Sequence, residues 1–118
     1  MITVTIFKTR DEIKGFMVKG HSDYAEAGFD IICASVSILS YTALNSLNLV
    51  AGIEPQNIEY AVDDEGMMSL KTLKNNDKTD IVYRNLIVGM ELLLECIQQY
   101  LDHMEKVGYQ KVYMKLLI

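Results

Sequence analysis

His21 and Cys33 are the two side chains in this 118-residue sequence whose types and spacing could do chemistry together. A thiol becomes a nucleophile as the thiolate, and a neighbouring imidazole can take its proton and later return it to a leaving group. The pair is twelve positions apart, with Ser22 to Phe29 between them. His21 follows an alternating apolar segment, and Cys33 lies three positions after Asp30, a residue type that favours helix N-caps. That spacing places Cys33 in the first turn of a helix, where unpaired backbone amides and the positive end of the helix dipole favour a thiolate. The same amides are candidate donors to an oxyanion. The chemistry these residues could perform together is acyl transfer through a covalent thioester.

Other residue types in the chain have plainer readings. Cys96 falls in the middle of a predicted helix, where the amides are paired, and reads as a small buried hydrophobe. His103 falls near that helix's end, where an imidazolium complements the dipole. Asp30 is accounted for as a cap, although a carboxylate there could also orient His21. Ser37 and Ser40 follow Cys33 by four and seven positions, hence on one helical stripe. Ser37 therefore serves either close packing or a hydrogen bond within the site. No histidine or cysteine spacing suits a metal, and no cofactor motif is present.

The elements that must position this pair follow from periodicity. Residues 2–7 alternate as a strand, and a polar turn at Arg10 to Glu12 leads into a second strand over 13–20, with Phe16 and Val18 on one face. Residues 21–29 read as a loop, least ordered together with the first turn after it. A helix from Asp30 carries Ile32, Val36, Leu39, Ala43, Leu47 and Val50 along its inner face, with Gly52 as its stop. A second stripe on the same helix, Ala34, Ile38, Tyr41 and Leu49, needs another helix or a partner subunit to cover it. Residues 57–62 and 67–71 form a second predicted hairpin across Asp63 to Gly66. A long helix from about Asp80 presents Val82, Leu86, Met90, Leu93 and Ile97, and a last strand spans 109–116. The order ββαββαβ predicts a two-layer α+β fold with a mainly antiparallel sheet and two long helices, one domain over 1–118.

Composition narrows the partners. The net charge is −5, and the eleven Lys and Arg residues are scattered, which argues against direct nucleic-acid binding and suits a basic protein partner. Two cysteines and an N-terminus that alternates like a strand predict a reducing, cytoplasmic setting. No charged residue falls between Asp30 and Glu54, long enough to span a bilayer. Four serines, a threonine and two asparagines inside it instead predict a helix buried on most sides, with no membrane partner.

The run Gly20-His21-Ser22-Asp23-Tyr24-Ala25, followed by Gly28-Phe29-Asp30-Ile31-Ile32-Cys33-Ala34-Ser35-Val36-Ser37, closely resembles the signature of the ribosomal-processing cysteine protease family, Prp. The Gly15-Phe16-x-Val18-x-Gly20-His21 strand and the whole ββαββαβ order agree with it. The resemblance implies a cysteine endopeptidase that removes the N-terminal extension of a large-subunit ribosomal protein, cutting after a Phe-Phe pair. It maps the catalytic histidine and cysteine onto His21 and Cys33, a supporting aspartate onto Asp30, and a mobile substrate loop onto the segment bounded by Gly20, Ser22 and Gly28. It also implies a homodimer. Relatives near phage genes process capsid precursors. A non-catalytic assembly factor binding the same ribosomal protein, or a thiol redox enzyme, are the alternatives. The second is disfavoured because no further cysteine lies near Cys33.

Overall fold

The computed structural model describes residues 2–20, 29–64, 66–106 and 114–118. Its elements are β1 (Ile2–Thr9), β2 (Glu12–Lys19), α1 (Phe29–Leu49), a 3-10 turn (Pro55–Asn57), β3 (Ile58–Val62), β4 (Met68–Thr72), α2 (Asp77–Lys106) and β5 (Met114–Leu117). The five strands form one sheet in the order β3-β4-β2-β1-β5, antiparallel except where β5 pairs parallel with β1. The predicted α+β class and the order ββαββαβ are both present. Ile2, Val4, Ile6, Phe16, Val18, Met68 and Leu70 are buried with residues of both helices. The other sheet face carries residues such as Phe7, whose ring lies beneath the Lys71 ammonium at 5.3 Å. That makes two layers.

Strict alternation does not explain β2, where Ile13, Phe16 and Val18 are all buried. The pairing runs Phe7 to Gly15 and then Lys8 to Ile13, so Lys14 is the extra residue of a β-bulge. A one-residue slip flips the side chains beyond it, which turns Ile13 inward as well. The Lys14 carbonyl receives the Tyr83 and Thr72 hydroxyls, each at 3.3 Å, and those two hydroxyls lie 2.8 Å apart. Tyr83 is fully buried, edge-on to Phe16 with ring centroids 6.4 Å apart. Burial pushes its phenol up to about 12, partly offset by the Thr72 hydrogen bond.

Helix ends differ from expectation by a few residues. α2 starts at Asp77, three residues before the predicted start, because Asn76 caps it. The Asn76 side-chain oxygen accepts from the Lys78 and Thr79 amides, and the Thr79 hydroxyl accepts from the Asn76 amide, a reciprocal capping box. α1 stops as predicted near Gly52, whose φ of +72° lets the Ile53 amide reach the Leu47 carbonyl at 3.0 Å. The helices approach closely at Gly89, where an added Cβ would lie 2.7 Å from a Leu39 methyl.

α1 is less covered than expected. Of its apolar, membrane-length stretch Ile31–Leu49, 28 % is buried. Its inner face packs as predicted through Ile32, Val36, Ala43 and Leu47, but Val50 is exposed. The second stripe (Ala34, Ile38, Tyr41, Leu49) is also exposed. With one sheet beneath it and one helix beside it, α1 has no further element of the described chain to cover the rest.

Two measurements test the packing. Gly15→Ala would set a methyl carbon 2.0 Å from the Leu70 carbonyl oxygen of β4, so unfolding in urea should show a loss of about 3 kcal/mol. Tyr83→Phe should cost about 1 kcal/mol at pH 8 by removing a hydroxyl from the Lys14 carbonyl. The folded phenol titrates above the unfolded one, so its stabilising effect is complete below pH 10 and fades towards pH 12. The phenylalanine variant should lack that part of the alkaline loss.

Candidate active site

The site is best built outward from Cys33. α1 begins at Phe29, one residue before the predicted cap, so Asp30 lies within the first turn and is not the N-cap. An acidic residue in a first turn still complements the helix dipole. Cys33 is the fifth described residue of α1, half-buried and packed against the core. Side chains on a helix lean towards its N-terminus, so Cys33 inclines towards the start of α1.

β2 supplies the other approach. It ends at Lys19, and Gly20 follows at φ +94°, a conformation that costs glycine little and other residues much. Gly20 therefore turns the chain off the sheet immediately before His21. His21, Ser22 and Gly28, together with the predicted least-ordered loop, fall outside the described residues except for its last positions, which join α1.

What the described residues do bring together is the end of β2 and the middle of α1. Val18, Ser37 and Ser40 border one cleft of about 150 Å³, with Tyr41, Val62, Gly66 and Met68. Ser37 is half-buried there, one turn beyond Cys33. Ser40 is buried, and its hydroxyl donates to the Val36 carbonyl at 2.7 Å, so it serves the helix. Tyr41 accepts a hydrogen bond from the Tyr60 hydroxyl at 3.3 Å, linking α1 to the edge strand β3. Donating that bond pushes the Tyr60 phenol up to about 12.

The sequence reading passed over Val62 and Met68, and took Val18 and Tyr41 only as members of apolar stripes. Their convergence depends on β4 pairing with both β2 and β3, which no local pattern announces. Cys96 also departs from expectation. It is exposed, because it lies on the side of α2 away from Ile97. Among the described residues no group of three metal-ligating side chains occurs.

Comparison with known proteins places this architecture. The ribosomal processing cysteine protease Prp of Staphylococcus aureus is 28 % identical over 80 % of this chain and 90 % of its own length. The protein of the same name from Bacillus subtilis is 39 % identical over 47 % of this chain and 50 % of its own. A crystal structure of a Streptococcus mutans protein superposes with a TM-score of 0.71 at 24 % identity, covering 99 % of this chain and 97 % of that one. The S. aureus Prp structure with a covalently linked product peptide gives 0.70 at 22 % identity, covering 99 % and 98 %. The family model for cysteine protease Prp matches residues 1–105, and the chain belongs to that family of cysteine proteases.

Proposed function

We propose that this protease removes an N-terminal extension from a large-subunit ribosomal protein, with Cys33 as nucleophile and His21 as its base. One observation supports the assignment of the pair. Val18 near the end of β2 and Ser37, one helical turn after Cys33 on α1, border a common cleft. The naming of the S. aureus and B. subtilis relatives as ribosomal processing proteases supports the substrate class, and the family resemblance supports cleavage after Phe-Phe.

In this reading His21 takes the thiol proton, and the Cys33 sulfur attacks the scissile carbonyl. First-turn amides of α1 receive the developing oxyanion. His21 returns the proton to the leaving amine, and water then releases the acyl group. Asp30 orients His21 or steadies the first turn, and Ser37 hydrogen-bonds at the rim. Gly20, Ser22 and Gly28 shape the loop over the substrate. No cofactor enters this chemistry. The acidic surface attracts a basic precursor in the cytoplasm, without nucleic acid or membrane as direct partners.

The enzyme acts as a homodimer in this reading. Ile31, Ile38 and Leu49 on α1, Val50 just beyond it, and Ile81 and Leu92 on α2 are each more than half exposed, and Ile38, Val50 and Ile81 line a hollow of about 540 Å³ between the two helices. A contiguous apolar surface of this kind marks an interface. Sedimentation at micromolar concentration should show a dimer, and Ile38→Glu should shift it to monomer.

Purified protein should cleave a basic peptide that contains Phe-Phe. Cys33→Ala and His21→Ala should each abolish turnover, and the double variant should lose little more. Iodoacetamide at pH 6.5 should modify Cys33 faster than Cys96, although Cys96 is the more exposed. Undiminished turnover in Cys33→Ala, or faster labelling of Cys96, would remove Cys33 from its role.

A further inference from the structure

The sheet ends on one side in β3, which pairs only with β4. Which of its main-chain groups face outward is fixed at both ends of the hairpin. The Asn57 carbonyl accepts from the Leu73 amide at 2.8 Å, and the Asp63 amide donates to the Met67 carbonyl at 3.0 Å. In an antiparallel pair every second residue bonds to the partner strand, so Glu59 and Ala61 bond to β4 while Tyr60 and Val62 face away. The Ile58 amide turns back to the Pro55 carbonyl. The open side therefore presents the Ile58 carbonyl and both main-chain groups of Tyr60 and Val62, which have no partner among the described residues.

Open edges invite pairing, and proteins blunt them with lysine, proline, a bulge or a covering element. Among the described residues β3 has none of these. Its sequence is Ile-Glu-Tyr-Ala-Val, its register with β4 is unbroken, and all but Ile58 are exposed. The opposite edge, β5, is four residues long and includes Lys115. What distinguishes the β3 edge is its charge. The segment from Glu54 to Gly66 holds Glu54, Glu59, Asp63, Asp64 and Glu65, with no Lys or Arg. Lys71, opposite Glu59 on β4, carries its ammonium the other way, across Gly15 to the Phe7 ring. An edge charged in this way repels a second copy of itself and attracts a basic strand.

We propose that the β3 edge is an exosite of the protease, where an extended segment of the substrate bearing Lys or Arg adds as a further strand. Main-chain hydrogen bonds to Tyr60 and Val62 hold that strand, and the flanking carboxylates select it. Val62 also borders the cleft with Ser37, so a chain leaving the site meets this edge. The substrate as occupant rests on the proposed function, whereas the open edge and its charge do not.

Amide hydrogen exchange in the Cys33→Ala protein reads the edge without hydrolysis. In the free protein Tyr60 and Val62 should exchange faster than Glu59 and Ala61. A capped octapeptide of alternating Lys and Val, at millimolar concentration, should slow Tyr60 and Val62 about tenfold. The same peptide with Glu in place of Lys should not. Glu59→Gln combined with Asp64→Asn should weaken the slowing at low salt. Tyr60→Pro should abolish it at Val62 by removing an outward amide while keeping the bonds to β4, and Tyr60→Phe should retain it. Unchanged exchange with the Lys peptide, or equal slowing by the Glu peptide, would overturn the exosite. Slow exchange in the free protein that deepens with protein concentration would place a second copy on the edge and overturn it as well. In the active enzyme, a Phe-Phe peptide joined to the Lys-Val stretch should exceed the unjoined peptide in kcat/KM about fivefold. The paired Glu59→Gln and Asp64→Asn changes should bring that ratio close to one. A ratio of one in the unaltered enzyme, with Tyr60 and Val62 still slowed, would remove the substrate as occupant. Hydrolysis that survives Cys33→Ala would defeat the proposed nucleophile and leave the exchange result standing.

Discussion

The carbonyl of Lys14 is the point on which the geometry of the molecule turns. Lys14 is the extra residue of the bulge between β1 and β2, and a buried carbonyl left without a partner would cost about 1–3 kcal/mol. Thr72 from β4 and Tyr83 from α2 supply hydroxyls to it. Three elements far apart in sequence thus agree on one register for β2. That register sends Phe16 and Val18 to the helical face, with β2 ending at Lys19 and Gly20 following at positive φ. Losing the bulge would shift the register beyond it by one residue and turn Val18 to the opposite face of the sheet.

The same dependence explains what could be read from the residues alone. Strands, helices and their order announce themselves through local period, and Gly52 and the Asp63–Gly66 turn through local conformation. Ile13 could not be placed, because its direction depends on a bulge that has no local mark. The α2 cap was legible in principle as Asn76-x-x-Thr79, but threonine in the box is less familiar than glutamate and the start was set three residues late. At the site, Cys33 and Ser37 follow from helical spacing. The cleft does not, because Val62 and Met68 reach it only through pairing across β4.

α1 answers two demands that conflict. It must cover the centre of a five-stranded sheet through Ile32, Val36, Ala43 and Leu47, and must also border the cleft beside Val18 through Ser37, Ser40 and Tyr41. A helix fixed at both points cannot rotate to hide its remaining apolar residues. Close contact with α2 at Gly89 and Leu39 fixes it further. The exposed Ile31, Ile38 and Leu49 are thus a geometric remainder of fixing the helix at those contacts.

Strand order also bears on the sequence of events in folding. β1 and β2 form a local hairpin at the centre of the sheet, while β3 and β4 reach it across α1, and β5 from the far end of the chain. Contacts between near neighbours close at the least entropic cost and so form early. The hairpin that leads to Gly20 and the helix that carries Cys33 adjoin in sequence, whereas the row Val62–Met68–Val18 waits for a later, longer-range pairing. A chain caught between these stages would have the helix that carries Cys33 in place before the cleft floor is complete. In this fold the cleft is therefore tied to completion of the sheet, while the helix start that bears the Cys33 thiol is not.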